Sequence, residues 1–382
     1  MLLAMAGCAT PVRRMPPTTI HISPAPPPPE ERLSVGIEVF GTGPVESDAL
    51  EDQHTNVDIR KAETQFMPYH LKATLDQSGY WGEVRVVPPG GLGNDLLVAC
   101  TILSSNGEHL RLRAVVTDAQ GYTWLNKLYE DRVDKDVYNG SAPGKVDPFQ
   151  NMYNSLANDM AAVRRRMDSL AVKHLRRTTE LLFAAELLPK AYGEYIRLTP
   201  QGKREVVRLP AEDDPLWKRV EKIGERNRVF YNALDASYEP FYKSLWQPYL
   251  DWRRYNLVEQ LSIRQARSDG LKQAAAGIIM IAAAILLEVN DVNNSSTIRD
   301  VLVLGGTQVI INGINISKAA DIHRETLQEL ADSFGSDAKS VQVTLEGQTV
   351  TLTGSVREQM EQWKDLLRKM HEKEFDVPVE GP

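Results

Sequence analysis

The residues that could do chemistry in this chain are few and scattered. There are two cysteines, Cys8 and Cys100, which excludes a disulfide-dense scaffold and a four-cysteine zinc site. Cys100 falls mid-strand between Ala99 and Thr101 with no basic neighbour in sequence, so it reads as a small buried hydrophobe rather than a reactive thiol. Seven histidines lie apart, and none shows triad-like neighbours. His174 has no second His, Cys or carboxylate at metal spacing beside it. The best acid–base trio, Glu212-Asp213-Asp214, is followed by Pro215, the pattern of a helix start. No nucleophile elbow, phosphate loop, dinucleotide fingerprint or HExxH motif occurs. The expectation is a non-enzyme without cofactor or metal. Two clusters suggest binding instead. Arg164, Arg165, Arg166, Arg176 and Arg177, with Lys173, offer a patch for an anionic partner, or else a solvated face paired with acidic groups elsewhere. Nine of the 27 aromatics fall within residues 230–255. Trp246, Tyr249 and Trp252 there could form a partner surface that stacks on a glycan such as peptidoglycan, or an aromatic core or subunit interface.

The composition bounds what can position these residues. The chain has 382 residues, 42% hydrophobic and 25% charged, an ordinary globular balance with room for two or three domains of about 150 residues each. A net charge of −7 lacks the basic footprint of a nucleic-acid binder.

Residues Met1 to Cys8 are apolar and small up to the cysteine. The run resembles the lipobox of bacterial lipoproteins. That resemblance implies that the Cys8 thiol takes a diacylglycerol and anchors the chain in a bilayer. Met5 stands where leucine is commoner, and no basic stretch precedes the run, which suggests a translation start further upstream. An ordinary N-terminal cysteine is the alternative. Ala9 follows where an aspartate would favour the inner membrane, so the resemblance implies the periplasmic face of the outer membrane. Residues 9–32 contain eight prolines and cannot join a helix or central strand. They are expected to form a tether reaching up to about 70 Å in polyproline II, or a proline-rich ligand for a partner domain.

Residues 33–140 read as a small α/β domain of the order strand, helix, strand, then antiparallel meander. Ser34 to Phe40 alternates at period two, and Ile59 to Gln77 is helical with Pro68 starting, kinking or interrupting it. Trp81–Val87, Asp95–Ser104, His109–Asp118 and Tyr122–Tyr129 are strands. The phrases LDQSGYW at 75–81, DLLVACTIL at 95–103 and LRLRAVVTDAQG at 110–121 resemble the amino-terminal domain of TolB and the related domain of curli-secretion lipoproteins. In those families such domains dock other envelope proteins.

Residues 147–290 are expected to be a long helical region. Asp147-Pro148 is a helix start, and Phe149, Tyr153, Leu156, Met160, Val163, Met167 and Leu170 keep a heptad seam. A continuous helix to Pro189 would be about 60 Å long. The apolar run Ala274 to Leu287 is too short to span about 30 Å of hydrocarbon alone. With a second arm at 291–317 it forms a hairpin that is either buried or inserted on assembly. Residues 318–380 read as an αββα module, and VTLEGQTVTLTGSV at 343–356 resembles the core of a BON domain. The expectation is therefore an α+β protein, anchored through Cys8 to a lipid bilayer, that assembles with envelope proteins or its own copies. A secretion-type oligomer with membrane-inserting helices, or a peptidoglycan-binding lipoprotein, are the alternatives.

Overall fold

A computed structural model of the chain describes residues 14–43, 57–232 except 92, 135, 140–145 and 212, much of 235–261, and parts of 341–366. Cys8, the apolar run 274–287, the arm 291–317 and the first helix of the expected αββα module lie outside the described residues.

The fold is α+β. Strands β1 (Val35–Glu38), β2 (Gly41–Thr42), β3 (Val84–Val87), β4 (Leu96–Ser105), β5 (His109–Asp118) and β6 (Thr123–Arg132) form one six-stranded sheet. Its order is β3-β1-β4-β5-β6, with β2 paired to β4. The half around β1 is parallel, with Val35 opposite both Val84 and Leu96. The β4–β5–β6 half is an antiparallel meander. The period-two pattern explains the layering: Leu96, Val98, Cys100 and Ile102 of β4, and Leu110, Leu112, Ala114 and Val116 of β5, all point into one core.

Helix α1 (Val57–Ser78) covers that core. Pro68 lies inside it without ending it. A mid-helix proline leaves the carbonyl four residues back without its donor, and here the Thr64 carbonyl accepts from Phe40 N–H at 3.0 Å. The defect thus becomes a link between helix and sheet. Gly79, at φ +69°, ends the helix, as a left-handed residue after a helix should.

After the short α2 (Asp136–Asn139), α3 (Gln150–Arg164) packs beside α1. The expected 60 Å helix is broken here. Arg166 N–H bonds Val163 O (3.0 Å), the chain turns, and the Asp168 carboxylate caps α4 (Ser169–Leu187) by accepting from Ala171 N at 2.7 Å. Aspartate is worth more as a cap than inside a helix. The heptad seam ends with it: Phe149, Tyr153, Leu156 and Met160 are buried, whereas Leu170 is 77% exposed and His174 is exposed. Next come α5 (Pro189–Tyr192) and a hairpin of β7 (Ile196–Leu198) and β8 (Arg204–Val206). The described residues from 215 to 261 are helical, and two stretches matter: α6 (215–232) and α7 (246–254). Asn232 and Asp235 meet β3, with Val86 N–H donating to Asp235 (3.2 Å) and Arg85 Nε to Asn232 (2.7 Å).

The C-terminal strands β9 (Val341–Leu345) and β10 (Gln348–Leu352) pair as the expected hairpin. They do not stand apart. Leu352 and Trp363 join Phe230, Tyr231 and Val87 in one cluster, and Trp363 stacks on Phe230 at 4.5 Å while its indole N–H donates to Asn227.

The segment expected as a free tether is docked from Arg14 onward. Met15 N–H donates to Asp131, Thr18 N–H to Asn151, His21 N–H to Asn158, and Ser23 N–H to the Ser78 carbonyl. Arg176 and Arg164 donate to the Pro29 and Glu31 carbonyls. The prolines explain the conformation but not the docking. They occupy 16, 17, 24 and 26–29, between the residues whose N–H groups are used.

Candidate functional site

Polar chemistry gathers at the two ends of the sheet. At one end lie the β4–β5 turn and the finish of β6; at the other lie the β5–β6 turn, the starts of β1 and β4, and the β7–β8 hairpin.

At the β4–β5 end, Arg253 of α7 is fully buried. Its Nη1 lies 3.3 Å from Asp147 Oδ1 and its Nη2 3.9 Å from Glu63 Oε1. The guanidinium sits over the rings of Tyr249 (4.3 Å) and Phe149 (4.8 Å). Glu63 also accepts from Tyr249 OH (2.7 Å) and from Ser105 Oγ. Burial acts to lower the Arg253 pKa, but Tyr249, Asp147, Tyr138 and Glu63 outweigh it and hold the group above its usual value. Asp147 accepts from Phe149 N–H at 2.8 Å in the turn before α3, whose N-cap is Phe149 rather than the expected Asp147. Its bond to Arg253 could not be read from sequence. Gly107 makes the approach possible: a Cβ on it would lie 2.0 Å from the Arg253 carbonyl oxygen and 2.7 Å from Leu257 N.

A polar relay runs beside this lock. Tyr242 OH is 3.0 Å from His70 Nδ1, and His70 Nε2 is 2.8 Å from Gln150 Oε1. The Gln150 amide nitrogen donates to Thr74 and Asn154, and Asn154 donates to the Thr18 carbonyl. Because that nitrogen is already used, its oxygen faces His70, so the ring's proton sits on Nε2 and Tyr242 donates to Nδ1. Burial pushes the imidazole below its ordinary pKa, helped by Arg253 and opposed by Asp147 and the Gln150 bond.

Trp246, Tyr249 and Trp252 pack into this region, which corrects the glycan-surface expectation. Phe66 lies 4.5 Å from Tyr249 and 5.8 Å from Trp246, Trp246 stacks on His70, and Tyr249 stacks on Trp252. Tyr249 and Trp252 are buried. Trp246 is partly buried and packs against the same core.

The β4–β5 turn also holds a serine–histidine pair that sequence reasoning missed, with Ser104 Oγ 2.7 Å from His109 Nε2. The spacing suits a nucleophile and base. Asn106 Oδ1 accepts from the N–H groups of Glu108 and His109, which turns its amide nitrogen toward His109 Nδ1 at 3.1 Å. The same amide nitrogen lies 3.5 Å from Nε2, so it stands over the ring rather than on one nitrogen's lone pair.

At the opposite end, α4 and α6 bound a cleft of about 660 Å3. Its floor is Asp95, which accepts from Ser34 N–H and Oγ (both 2.8 Å) and from Thr179 Oγ (2.7 Å). Charges of both signs line it, and they are already engaged. Arg32 Nε and Arg176 donate to the Pro27 and Pro29 carbonyls. Glu180 pairs with Arg177, whose guanidinium lies over Trp217 at 4.9 Å, and Glu221 accepts from the Trp217 indole.

The expected basic patch is therefore divided. Arg164 is buried against Glu31, Arg176 holds the proline-rich segment, and Arg177 lies on Trp217. Arg165 and Arg166 alone of the five stand exposed, at the α3–α4 corner. Cys100 is buried, and burial with Glu38 nearby pushes its thiol pKa up. Among the described residues, no helix is long and apolar enough to cross a membrane, and no group of three or more His, Cys, Asp or Glu side chains is gathered to hold a metal.

No family model matches the chain, and no curated protein matches it. Among solved structures, the crystal structure of protein XCC0632 from Xanthomonas campestris, of family DUF330, is aligned at 10% identity. The alignment covers 40% of this chain and 97% of that one, with a TM-score of 0.24. At that score it carries no argument, and the functional reading rests on the residues described above.

Proposed function

We propose that the chain is a non-catalytic, lipid-anchored periplasmic scaffold of the bacterial outer membrane, working by docking envelope proteins or its own copies. The observation that carries this reading is the N-terminal segment. Six residues after Cys8, at Arg14, the chain is already bonded to the body, so a cysteine in a lipobox-like run leads directly into a built attachment. Two features support the non-catalytic part. The cleft carboxylate Asp95 is saturated by hydroxyl and backbone donors, and the cleft's charges are pre-paired. The strand-helix-strand-meander order agrees with the docking use implied by the resemblance to TolB.

Crosslinking in intact cells followed by mass spectrometry tests the reading. Crosslinks from cleft residues to envelope proteins or to other copies, together with loss of the protein from the envelope fraction on Cys8→Ser, are expected. Recovery in the cytosol whether or not Cys8 is present would overturn it.

A further inference from the structure

The docked N-terminal segment carries information about orientation. Asn151, Asn154 and Asn158 lie on one face of α3 and read main-chain groups: Asn151 accepts from Thr18 N–H, Asn154 donates to the Thr18 carbonyl, and Asn158 accepts from His21 N–H while donating to the Thr19 carbonyl. The spacings agree. Seven helical residues rise about 10.5 Å, and three extended residues from Thr18 to His21 span about 10 Å. Arg14 starts this strap at the β4–β5 end, bonded to Asp134 just past β6, and Met15 is held by Asp131. The strap then runs along α3 to the opposite end, where Arg164 holds Glu31 and β1 begins its return.

We propose that the strap orients the body on its membrane: the β4–β5 end faces the phospholipid leaflet that holds acylated Cys8, and the α4–α6 cleft faces away. This rests on the lipid-anchor reading. The occupant of that end is fixed by chain length. Six residues from Cys8 to Arg14 extend at most about 20 Å, whereas an undocked segment would reach about 70 Å and let either end approach. The two ends are separated by the ten residues of β5, about 33 Å. A short leash therefore brings one end to the leaflet and leaves the other outside its reach. The arrangement presents the mixed-charge cleft to the periplasm, where a protein partner can enter it.

The test uses the full-length protein reconstituted in phosphatidylethanolamine–phosphatidylglycerol vesicles, with a donor dye at one introduced cysteine and acceptors on lipid headgroups. Val137→Cys reports the β4–β5 end and Leu198→Cys the hairpin end; both positions are exposed, and Cys100 is buried. Energy transfer from position 137 is expected to exceed that from 198 several-fold. The combined variant Asp131→Ala, Asp134→Ala, Asn151→Ala, Asn154→Ala and Asn158→Ala, checked by circular dichroism to be folded, removes the bonds that start the strap and is expected to bring the two values together. Intact mass of the same samples separates the two possible failures. An unmodified Cys8 defeats the anchor reading and this proposal with it. Acylated protein with equal or reversed transfer defeats the orientation alone, as does a difference that persists in the combined variant.

Discussion

The two ends of the sheet use the same residue types to opposite effect. At the β4–β5 end, Arg253, Glu63 and Asp147 are buried within an aromatic cage. At the cleft, Arg177 and Glu180 meet at 2.9 Å with substantial exposure. Removing one member of a buried ion pair leaves an uncompensated charge in low dielectric, whereas a wet pair is screened and replaced by water. The comparison teaches that charge density alone does not mark a binding surface. The buried set fixes how α7 sits on the sheet, and the exposed set stays open to exchange with water.

The largest break in this comparison is expected from Arg253→Met. It should lower unfolding free energy by about 3–5 kcal/mol, read from urea denaturation. Adding Asp147→Asn should recover part of that loss, because the second change removes one of the stranded charges. Next is Gly107→Val. Its Cβ meets the Arg253 carbonyl at 2.0 Å, and the overpacking should cost about 1–3 kcal/mol. Loss of near-ultraviolet dichroism from Tyr249 and Trp252 would locate the damage at α7.

The pH dependence sharpens the contrast further. The folded His70 pKa is lowered, so below an ordinary imidazole value of about 6.5 the unfolded chain takes a proton that the folded chain refuses. Stability should be intact above that pH and fall as pH drops from about 6.5 toward the folded value. His70→Phe should flatten this slope in melts taken across pH 5–7. At lower pH, Asp118, Asp131 and Asp235, each raised by burial, bind protons in the folded state first and oppose the loss. The smallest effect belongs to the cleft, where Glu180→Gln should change stability by less than about 1 kcal/mol and should act instead on partner crosslinks.

Much of the fold was legible in the sequence, because strands and caps are local signals. Strands β4 and β5 and the helix start after Asp147-Pro148 are read from neighbouring residues, and each is found close to where it was expected. Arg253 was not legible. Its partners Asp147 and Glu63 lie 106 and 190 positions away, and nothing in the stretch Asp251-Trp252-Arg253-Arg254 separates a buried arginine from a solvated one. The long helix failed at Asp168 because periodicity counted apolar positions and gave no weight to a capping carboxylate within the run. The proline-rich segment was misread as a free tether for a related reason. Proline content dictates an extended backbone but is silent on where the intervening N–H groups are satisfied. The signal that could have found the docking is the set Asn151, Asn154 and Asn158 on one face of α3.

The central claim is that the chain is held to a leaflet through Cys8 and leashed closely by the docked strap. Mass spectrometry of the N-terminal peptide from protein purified out of the cell envelope tests it most directly. The account predicts a peptide that begins at Cys8 and carries diacylglycerol. A peptide in which Met1 to Gly7 still precede an unmodified Cys8 would contradict it.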